Sequence, residues 1–259
     1  MILLYHKVTP QWEIHPSRVS PRLFERQMRY LKQRGLQGVT LIDYLMSPSR
    51  HKVAITFDDG YADLMDYAWP LLTSLDYHAT VFIPTDFIGK WNTWDANLDG
   101  KRSRHLDENQ LRRLSDSQWE IASHSTNHRS LFIMNASEQD HAMSTSYEHL
   151  RRILTTPISG FSYPFGHVNT SIREKASRYY TYAAGVISLD GSNPHSLSRI
   201  PITGWDVIPI FKLKTSPIPA IRFLLQIPVW ISSLFTFGTV LLQFFRKISI
   251  FKSNPSNTI

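Results

Sequence analysis

A short apolar run that stops at two adjacent carboxylates constrains this chain more than any other feature. Residues 53–57 read Val-Ala-Ile-Thr-Phe, and four apolar residues in five predict a strand that is buried on both faces. Asp58, Asp59 and Gly60 follow directly, so Gly60 ends the strand in a turn and both carboxylates lie at its carboxyl end. Because adjacent residues point in different directions, one carboxylate can bind a metal ion while the other accepts a proton.

A second strand-like run ends in a pair of histidines. Residues 119–123 read Trp-Glu-Ile-Ala-Ser, His124 follows, and His128 comes four positions later. Histidines at this spacing share one face if the residues between them turn helically, which lets two imidazoles bind one ion. Two histidines and one carboxylate, with open positions for water, form a known class of metal site. The pattern therefore predicts a metal site, and the alternative is a solvated turn at each strand end.

A third strand candidate ends in a loop of Pro-Phe-Gly at residues 164–166, whose backbone N–H groups can point at a ligand. In chain order, residues 56–60, 124–128 and 162–166 resemble the first three motifs of the polysaccharide deacetylases, the NodB-homology family. The resemblance covers about the first 205 residues, and three ordered motifs are far more specific than one. It implies a metal-dependent hydrolase that removes N-acetyl groups from an N-acetylated polysaccharide of the N-acetylglucosamine type.

The order of the predicted elements agrees with the fold that the resemblance implies. Apolar runs alternate with predicted helices, one from Ser20-Pro21 to Gly35 and another over residues 61–75. Buried strands separated by helices predict a largely parallel α/β sheet or barrel, with its chemistry at the carboxyl ends of the strands. The family fold is a distorted (β/α) barrel of about seven strands, which we expect to form a catalytic domain over residues 1–210.

The resemblance also implies a role for most residues of the site. Asp59, His124 and His128 would bind a divalent metal ion, and two imidazoles with one carboxylate suit zinc. Asp58 would act as the base that takes a proton from the attacking water. The backbone N–H of Phe165 would hold the oxyanion that forms at the acetamide carbonyl.

His6 is the predicted acid of the reaction. Leu4-Tyr5-His6 resembles a Leu-x-His motif that comes last in most of the family but first in circularly permuted members, such as the poly-N-acetylglucosamine deacetylases. A histidine in this role protonates the departing amine, which is otherwise a very poor leaving group at neutral pH. The alternative is a core histidine that is hydrogen-bonded to a backbone carbonyl.

Two departures from the family pattern bear on the site. The family often has an arginine at the position of Ser162, where it orients the catalytic aspartate. We expect Arg199, on a late strand, to supply this charge, and the alternative for Arg199 is a surface salt bridge. The family's aspartate–tryptophan motif has no clear counterpart, since the Trp-Asp pairs at residues 94–95 and 205–206 match it only by composition.

An aromatic and polar loop is predicted over residues 86–105. Trp91 and Trp94 lie in this loop, on the side where the strands end. Its composition suits stacking against sugar rings, and the alternative is local packing of the two indoles.

Composition narrows the class of protein. The chain has 259 residues, 42% of them hydrophobic, which suits a globular protein with a sizeable core. It contains no cysteine, which excludes disulfides, thiolate metal ligands and a cysteine nucleophile. A net charge of +7 favours anionic surfaces, but the basic residues are scattered and lack interleaved aromatic residues, so we expect no nucleic-acid partner.

The character of the chain changes beyond residue 210. Residues 211–259 form an apolar tail with basic flanks, and within it residues 223–245 contain no charge over 23 positions. At about 1.5 Å per residue this length would span a bilayer, whereas Pro228 and recurring polar residues favour a helix that lies in the membrane interface. We expect an apolar helical segment that associates with a membrane, with its side undetermined because both flanks are basic. The alternative is a helix that packs on the catalytic domain.

The start of the chain predicts a strand. Residues 1–7 lack both a basic leader and a full apolar segment, so they are expected to form a first buried strand and no signal peptide.

Two further functions remain open at this point. A catalytically inactive, membrane-attached glycan-binding protein would account for Ser162 and for the missing aspartate–tryptophan motif. The second function is hydrolysis of a small amide or an O-acetyl ester, because the metal site does not determine the size of the leaving group.

Overall fold

Parallel strands with helices between them build this protein. The structure is a computed structural model that describes residues 1–11, 17–94, 102–185 and 193–216. The strands are β1 (Ile2–Tyr5), β2 (Lys7–Val8), β3 (Arg18–Val19), β4 (Gln37–Val39), β5 (Lys52–Phe57), β6 (Thr80–Ile83), β7 (Glu120–Ser123), β8 (Gly160–Ser162), β9 (Tyr182–Ala184) and β10 (Ile200–Pro201). The α-helices are α1 (Pro21–Gln33), α2 (Leu41–Met46), α3 (Ala68–Ser74), α4 (Glu108–Asp116), α5 (Ala136–Ile153), α6 (Thr170–Ala176) and α7 (Ile208–Lys214).

The main sheet is parallel and curls toward closure. Its strand order is β10-β1-β5-β6-β7-β8-β9, and β4 pairs with the first half of β5. A bridge between Ala184 and Leu197 joins the end of β9 to the residues just before β10, which itself pairs with β1. The segment 197–201 therefore links the two ends of the sheet. The predicted α/β barrel of about seven strands is confirmed.

The two-residue alternation of the strands sorts their side chains between two cores. Val53, Ile55 and Phe57 of β5 belong to the large core under the helices. Ala54 instead packs with Phe82 and other strand residues in a second core, which contains no residue of α1 or of α3–α7 and therefore fills the barrel interior. Side chains in step with Ala54 thus point inward, and this alternation determines which side chains reach the mouth of the barrel.

The predicted helix over residues 61–75 is wrong in its extent. The structure has a short 3-10 helix (Ala62–Leu64) and then α3, which begins at Ala68. Pro70 explains the break, because proline has no N–H to donate and its ring clashes with the carbonyl four residues earlier. In α3, Pro70 lies in the first turn, where no such bond is needed.

The packed structure continues to the last described residues. The predicted boundary after residue 210 falls inside α7, whose Phe211 ring lies 6.1 Å from that of Tyr30 on α1. Lys214 forms a buried ion pair with Asp206 at 2.8 Å, and Thr215 is also buried. Within the described residues, no helix combines the length and apolar character needed to cross a membrane. The predicted segment 223–245 lies outside the described residues.

Candidate active site

Strand register brings the predicted site residues to one end of the barrel. Asp58 and His124 each lie one residue past the end of a strand, in step with the inward-facing Ala54 and Ala122. Tyr5 of β1 pairs with Phe57 of β5, which places His6 level with Asp58. Residues from strands far apart in the sequence therefore meet where the parallel strands end.

Asp59, His124 and His128 form a compact group that we call the ligand triad. Each offers one potential metal-binding atom, and these atoms lie within 4.8 Å of one another. Asp59 Oδ1 is 3.1 Å from His128 Nε2 and 3.5 Å from His124 Nε2, and all three residues are buried. Two nitrogens and one carboxylate oxygen at this separation fit a single divalent cation.

Hydrogen bonding and burial prepare His124 for metal binding. Its Nδ1 lies 2.7 Å from the carbonyl oxygen of Ser162. Because a carbonyl only accepts, Nδ1 must carry the hydrogen, so the lone pair of the neutral ring is on Nε2, the atom near Asp59. Burial outweighs the nearby carboxylates and lowers the pKa of His124 to about 4. The ring is therefore neutral at neutral pH and able to coordinate a cation.

Two residues of the ligand triad, and a residue between its histidines, have a left-handed backbone conformation. The two histidines are not joined by a helical turn. Residues 125–127 form a turn of another kind, in which Ser125 has a φ of 67°. Asp59 and His128 also have positive φ, at 69° and 54°. These conformations are uncommon for residues other than glycine and often occur where a site constrains the chain.

Charges and hydrogen bonds keep the pKa of Asp59 low. Burial by itself would raise it, but the neighbouring His128, His6 and His124 outweigh burial and lower it well below its usual range. The carboxylate is therefore ionised at the neutral pH at which His124 is uncharged.

Asp58 is held by Arg199 in a buried pair. Arg199 Nη1 and Nη2 each donate to a separate oxygen of Asp58 at 2.7 Å, and the Ser162 hydroxyl donates to Asp58 Oδ2 at 3.0 Å. Arg199 is only 1% exposed, so it does not form the surface salt bridge considered as the alternative. Burial raises the pKa of Asp58, but the charge and hydrogen bonds of Arg199 together with His124 and His6 outweigh burial, and the net pKa is lowered.

The remaining predicted residues border the same site. His6 lies close enough to Asp58 and Asp59 to contribute to lowering the pKa of both carboxyls. Phe165 has φ of 62° in the short Pro164–Gly166 turn, and its ring centroid is 4.9 Å from that of His128. The structure thus brings together all seven predicted site residues, and the roles given to them stay predictions.

Trp94 packs against the site rather than facing outward. Its ring stacks on His128 at 4.6 Å between centroids, and only 9% of the residue is exposed. Trp94 is therefore not free to stack on a sugar ring, whereas Trp91 is 55% exposed. Asp95, the partner of Trp94 in the sequence, lies outside the described residues. In the second Trp-Asp pair, Trp205 is exposed, whereas Asp206 is buried and forms an ion pair with Lys214.

Sequence reasoning missed His105, which touches this site. The residue is buried, its Nδ1 lies 2.7 Å from the backbone oxygen of Asp59, and its ring packs against Trp94. No motif contains it, and nothing in the surrounding loop sequence indicates that it reaches Asp59.

Comparison with known proteins gives one consistent result. A family model described as polysaccharide deacetylase matches residues 46–184. YxkH of Bacillus subtilis is 28% identical over 197 residues, which cover 74% of this chain and 65% of YxkH, so the match spans less than two thirds of that relative. The poly-beta-1,6-N-acetyl-D-glucosamine N-deacetylase of Staphylococcus aureus strain MSSA476 is 28% identical over 209 residues, covering 74% of this chain and 70% of that protein.

A solved structure resembles the barrel as a whole. Streptococcus pyogenes deacetylase PplD, solved in complex with acetate, superposes with a TM-score of 0.71 over 83% of this chain and 97% of PplD. At 22% identity this likeness concerns the fold alone. The family model matches more than half of the residues and confirms the predicted resemblance: the chain belongs to the polysaccharide deacetylase family.

Proposed function

We propose that this protein is a metal-dependent hydrolase that removes N-acetyl groups from a polysaccharide of the N-acetylglucosamine type. The observation that carries the proposal is a second buried carboxylate beside the ligand triad. Asp58 Oδ2 lies 3.9 Å from His124 Nε2, close to the triad yet engaged by Arg199. One carboxylate is thus available for a cation and the other for a proton. The relative named as a poly-beta-1,6-N-acetyl-D-glucosamine N-deacetylase supports the polymer class.

We assign the ligand triad to a divalent ion, and zinc is our choice. Two imidazole nitrogens and one carboxylate suit a borderline metal better than a hard cation, which prefers oxygen ligands. When bound there, the ion would supply an activated water and would polarise the acetamide carbonyl. The neutral His124 and the ionised Asp59 are in the protonation states that such binding needs.

The residues around the triad divide the remaining work. Asp58 accepts the proton of the attacking water, and Arg199 orients its carboxylate for this transfer. The backbone N–H of Phe165 donates to the oxyanion of the tetrahedral intermediate. His6 donates a proton to the departing amine, so that acetate and a free amino sugar are the products.

Arg199 also weakens the case for an inactive glycan-binding protein. That alternative was motivated by Ser162, which cannot supply the positive charge that the family places there. In this chain the positive charge comes from Arg199, the residue just before β10. The Ser162 hydroxyl accepts a hydrogen bond from Arg199 Nη2 at 2.8 Å, so Ser162 contacts both Arg199 and Asp58.

The substrate class has a direct test. Purified protein would be incubated with N-acetylglucosamine oligomers, with N-acetylglucosamine itself and with an aryl acetate, and released acetate would be measured. We expect release from the oligomers to exceed release from the monosaccharide and the ester. Equal or faster turnover of the aryl acetate would instead support the small-ester alternative.

We further propose that the tail attaches the protein to a membrane surface. Helix α7 and the residue before it expose a row of apolar side chains at intervals of three, namely Val207, Ile210 and Leu213, and the nearby Trp205 is 77% exposed. Such a face, followed in the sequence by the charge-free residues 223–245 with basic flanks, suits an anionic lipid surface.

Truncation tests this attachment. The full chain is expected to sediment with anionic phospholipid vesicles, and a chain ending at Ser216 is expected to stay in the supernatant with its acetate release intact. This end point keeps Thr215, which is buried and belongs to the packed structure. An insoluble or inactive truncated protein would mean that residues 217–259 are part of the fold.

A further inference from the structure

A short antiparallel pairing carries His105 to the back of the ligand triad. Leu106 N donates to Gly60 O at 2.9 Å, Ala62 N donates to Arg104 O at 2.8 Å, and His105 itself bridges with Tyr61. The residues that follow Asp59 are therefore paired with the strand-like residues on both sides of His105. This contact fixes the position of His105 relative to the first motif.

His105 holds the backbone of Asp59. Its Nδ1 lies 2.7 Å from Asp59 O, and since this oxygen only accepts, Nδ1–H is the donor. Asp59 has φ of 69°, a conformation that an aspartate adopts only when its surroundings support it. The hydrogen bond anchors the peptide from which the Asp59 carboxylate projects, so it helps to set where Oδ1 lies.

His105 also supports a second member of the triad through Trp94. The centroid of the His105 ring lies 4.9 Å from that of the Tyr61 ring and 4.8 Å from that of the Trp94 ring. Trp94 in turn stacks on His128 at 4.6 Å, with the ring planes 19° apart. The buried side chain of His105 thus contacts the backbone of Asp59 directly and supports the ring of His128 through Trp94.

We propose that His105 is a positioning residue that sets the affinity of the ligand triad for its divalent ion. The proposal rests on the proposed function only in taking Asp59, His124 and His128 as the ligands. Residues that orient metal ligands from behind typically change metal affinity by about 10–100-fold when they are replaced. His105 contacts neither the ion nor the substrate in this account.

Three substitutions separate the hydrogen bond from the ring contacts. His105→Phe keeps an aromatic ring between Tyr61 and Trp94 but has no donor for Asp59 O. His105→Asn loses the ring, and its side-chain amide can donate from about the place of Nδ1. His105→Gln also has an amide donor, but its longer side chain places the amide near the position of Nε2, too far along to donate to Asp59 O.

The measurement is the dissociation constant for Zn²⁺ of the full-length protein, obtained by competition with a chromophoric chelator, so it does not depend on turnover. We expect His105→Phe and His105→Gln to weaken binding by about 10–100-fold, and His105→Asn to remain within about fivefold of the parent. His141→Phe, on the exposed surface of α5, is the control for loss of a histidine and is expected to bind like the parent.

The outcomes are distinguishable. If His105→Phe does not fold, the comparison of His105→Asn with His105→Gln decides, and equal affinity in these two variants overturns the inference. Binding by His105→Phe within about threefold of the parent overturns it as well. A parent protein that binds no stoichiometric Zn²⁺ would contradict the assignment of the ligand triad itself, and with it the proposed function.

Discussion

Asp58→Asn is expected to lower the rate of acetate release by about 10²–10⁴-fold and to leave the bound metal unchanged. The side chain of Asp58 is engaged by Arg199 and Ser162, outside the ligand triad, so its loss removes no metal ligand. Asparagine has nearly the same shape but cannot accept the proton of the attacking water. Metal content by elemental analysis and acetate release would be measured on the same preparations.

His124→Ala is the matched variant for this experiment. His124 belongs to the ligand triad, and its Nδ1–H donates to Ser162 O, so its removal deletes one ligand of three. We therefore expect His124→Ala to lose both metal and turnover. Equal metal content in Asp58→Asn and His124→Ala would contradict the separate roles given to the two residues.

Arg199→Met is expected to lower the free energy of unfolding by about 3–5 kcal/mol. The guanidinium of Arg199 donates to Asp58 through two nitrogens and to Gly185 O at 2.9 Å, and it is almost fully buried. Without it, the buried charge of Asp58 loses its guanidinium partner, which is the costly outcome when one member of a buried pair is removed. Denaturant unfolding of the parent and the variant would give the difference.

An exposed pair provides the control. Arg178 lies 3.6 Å from Asp140, but the Arg178 side chain is 63% exposed, so Arg178→Met is expected to cost less than about 1 kcal/mol. The double variant Asp58→Asn/Arg199→Met should be more stable than Arg199→Met alone, because it removes the unpaired charge. Similar losses for Arg199→Met and Arg178→Met would mean that the buried pair contributes little.

The same substitution predicts a change in pH dependence. Arg199 lowers the pKa of Asp58 against the opposing effect of burial, so its removal should raise that pKa. The base must be ionised, and the acid limb of the rate profile should therefore move to higher pH in Arg199→Met. In the parent, the lowered pKa means that the pair contributes stability above the usual pKa of an aspartate and loses it as the pH falls through the lowered value. An unchanged acid limb would show that Arg199 does not control Asp58.

Local sequence patterns predicted the parts of the site that lie in single motifs. The apolar residues 53–57 and the run before His124 form β5 and β7, because buried parallel strands need apolar residues on both faces. The alternation along these strands is what turns Asp58 and His124 inward. Patterns of this kind depend only on near neighbours, so they can be recognised in the sequence.

Other features depend on contacts between distant residues. Arg199 meets Asp58 across 141 positions, and nothing near Arg199 in the sequence distinguishes it from a surface arginine. β4 has only three residues, and its Gly38 is required because a Cβ there would lie 2.5 Å from the Tyr77 ring, a contact that no local pattern reveals. His105 was missed for the same reason, since its importance comes from Asp59 and Trp94.

If a cation held by the ligand triad drives the removal of acetyl groups, acetate release must follow the metal content of the protein. The full-length protein would be stripped with a chelator, assayed for acetate release from N-acetylglucosamine oligomers, and assayed again after addition of zinc or cobalt. We expect release to fall to background on stripping and to return with either metal. Release that survives complete stripping, or no release from a protein that demonstrably binds the added metal, would contradict this role of the ligand triad.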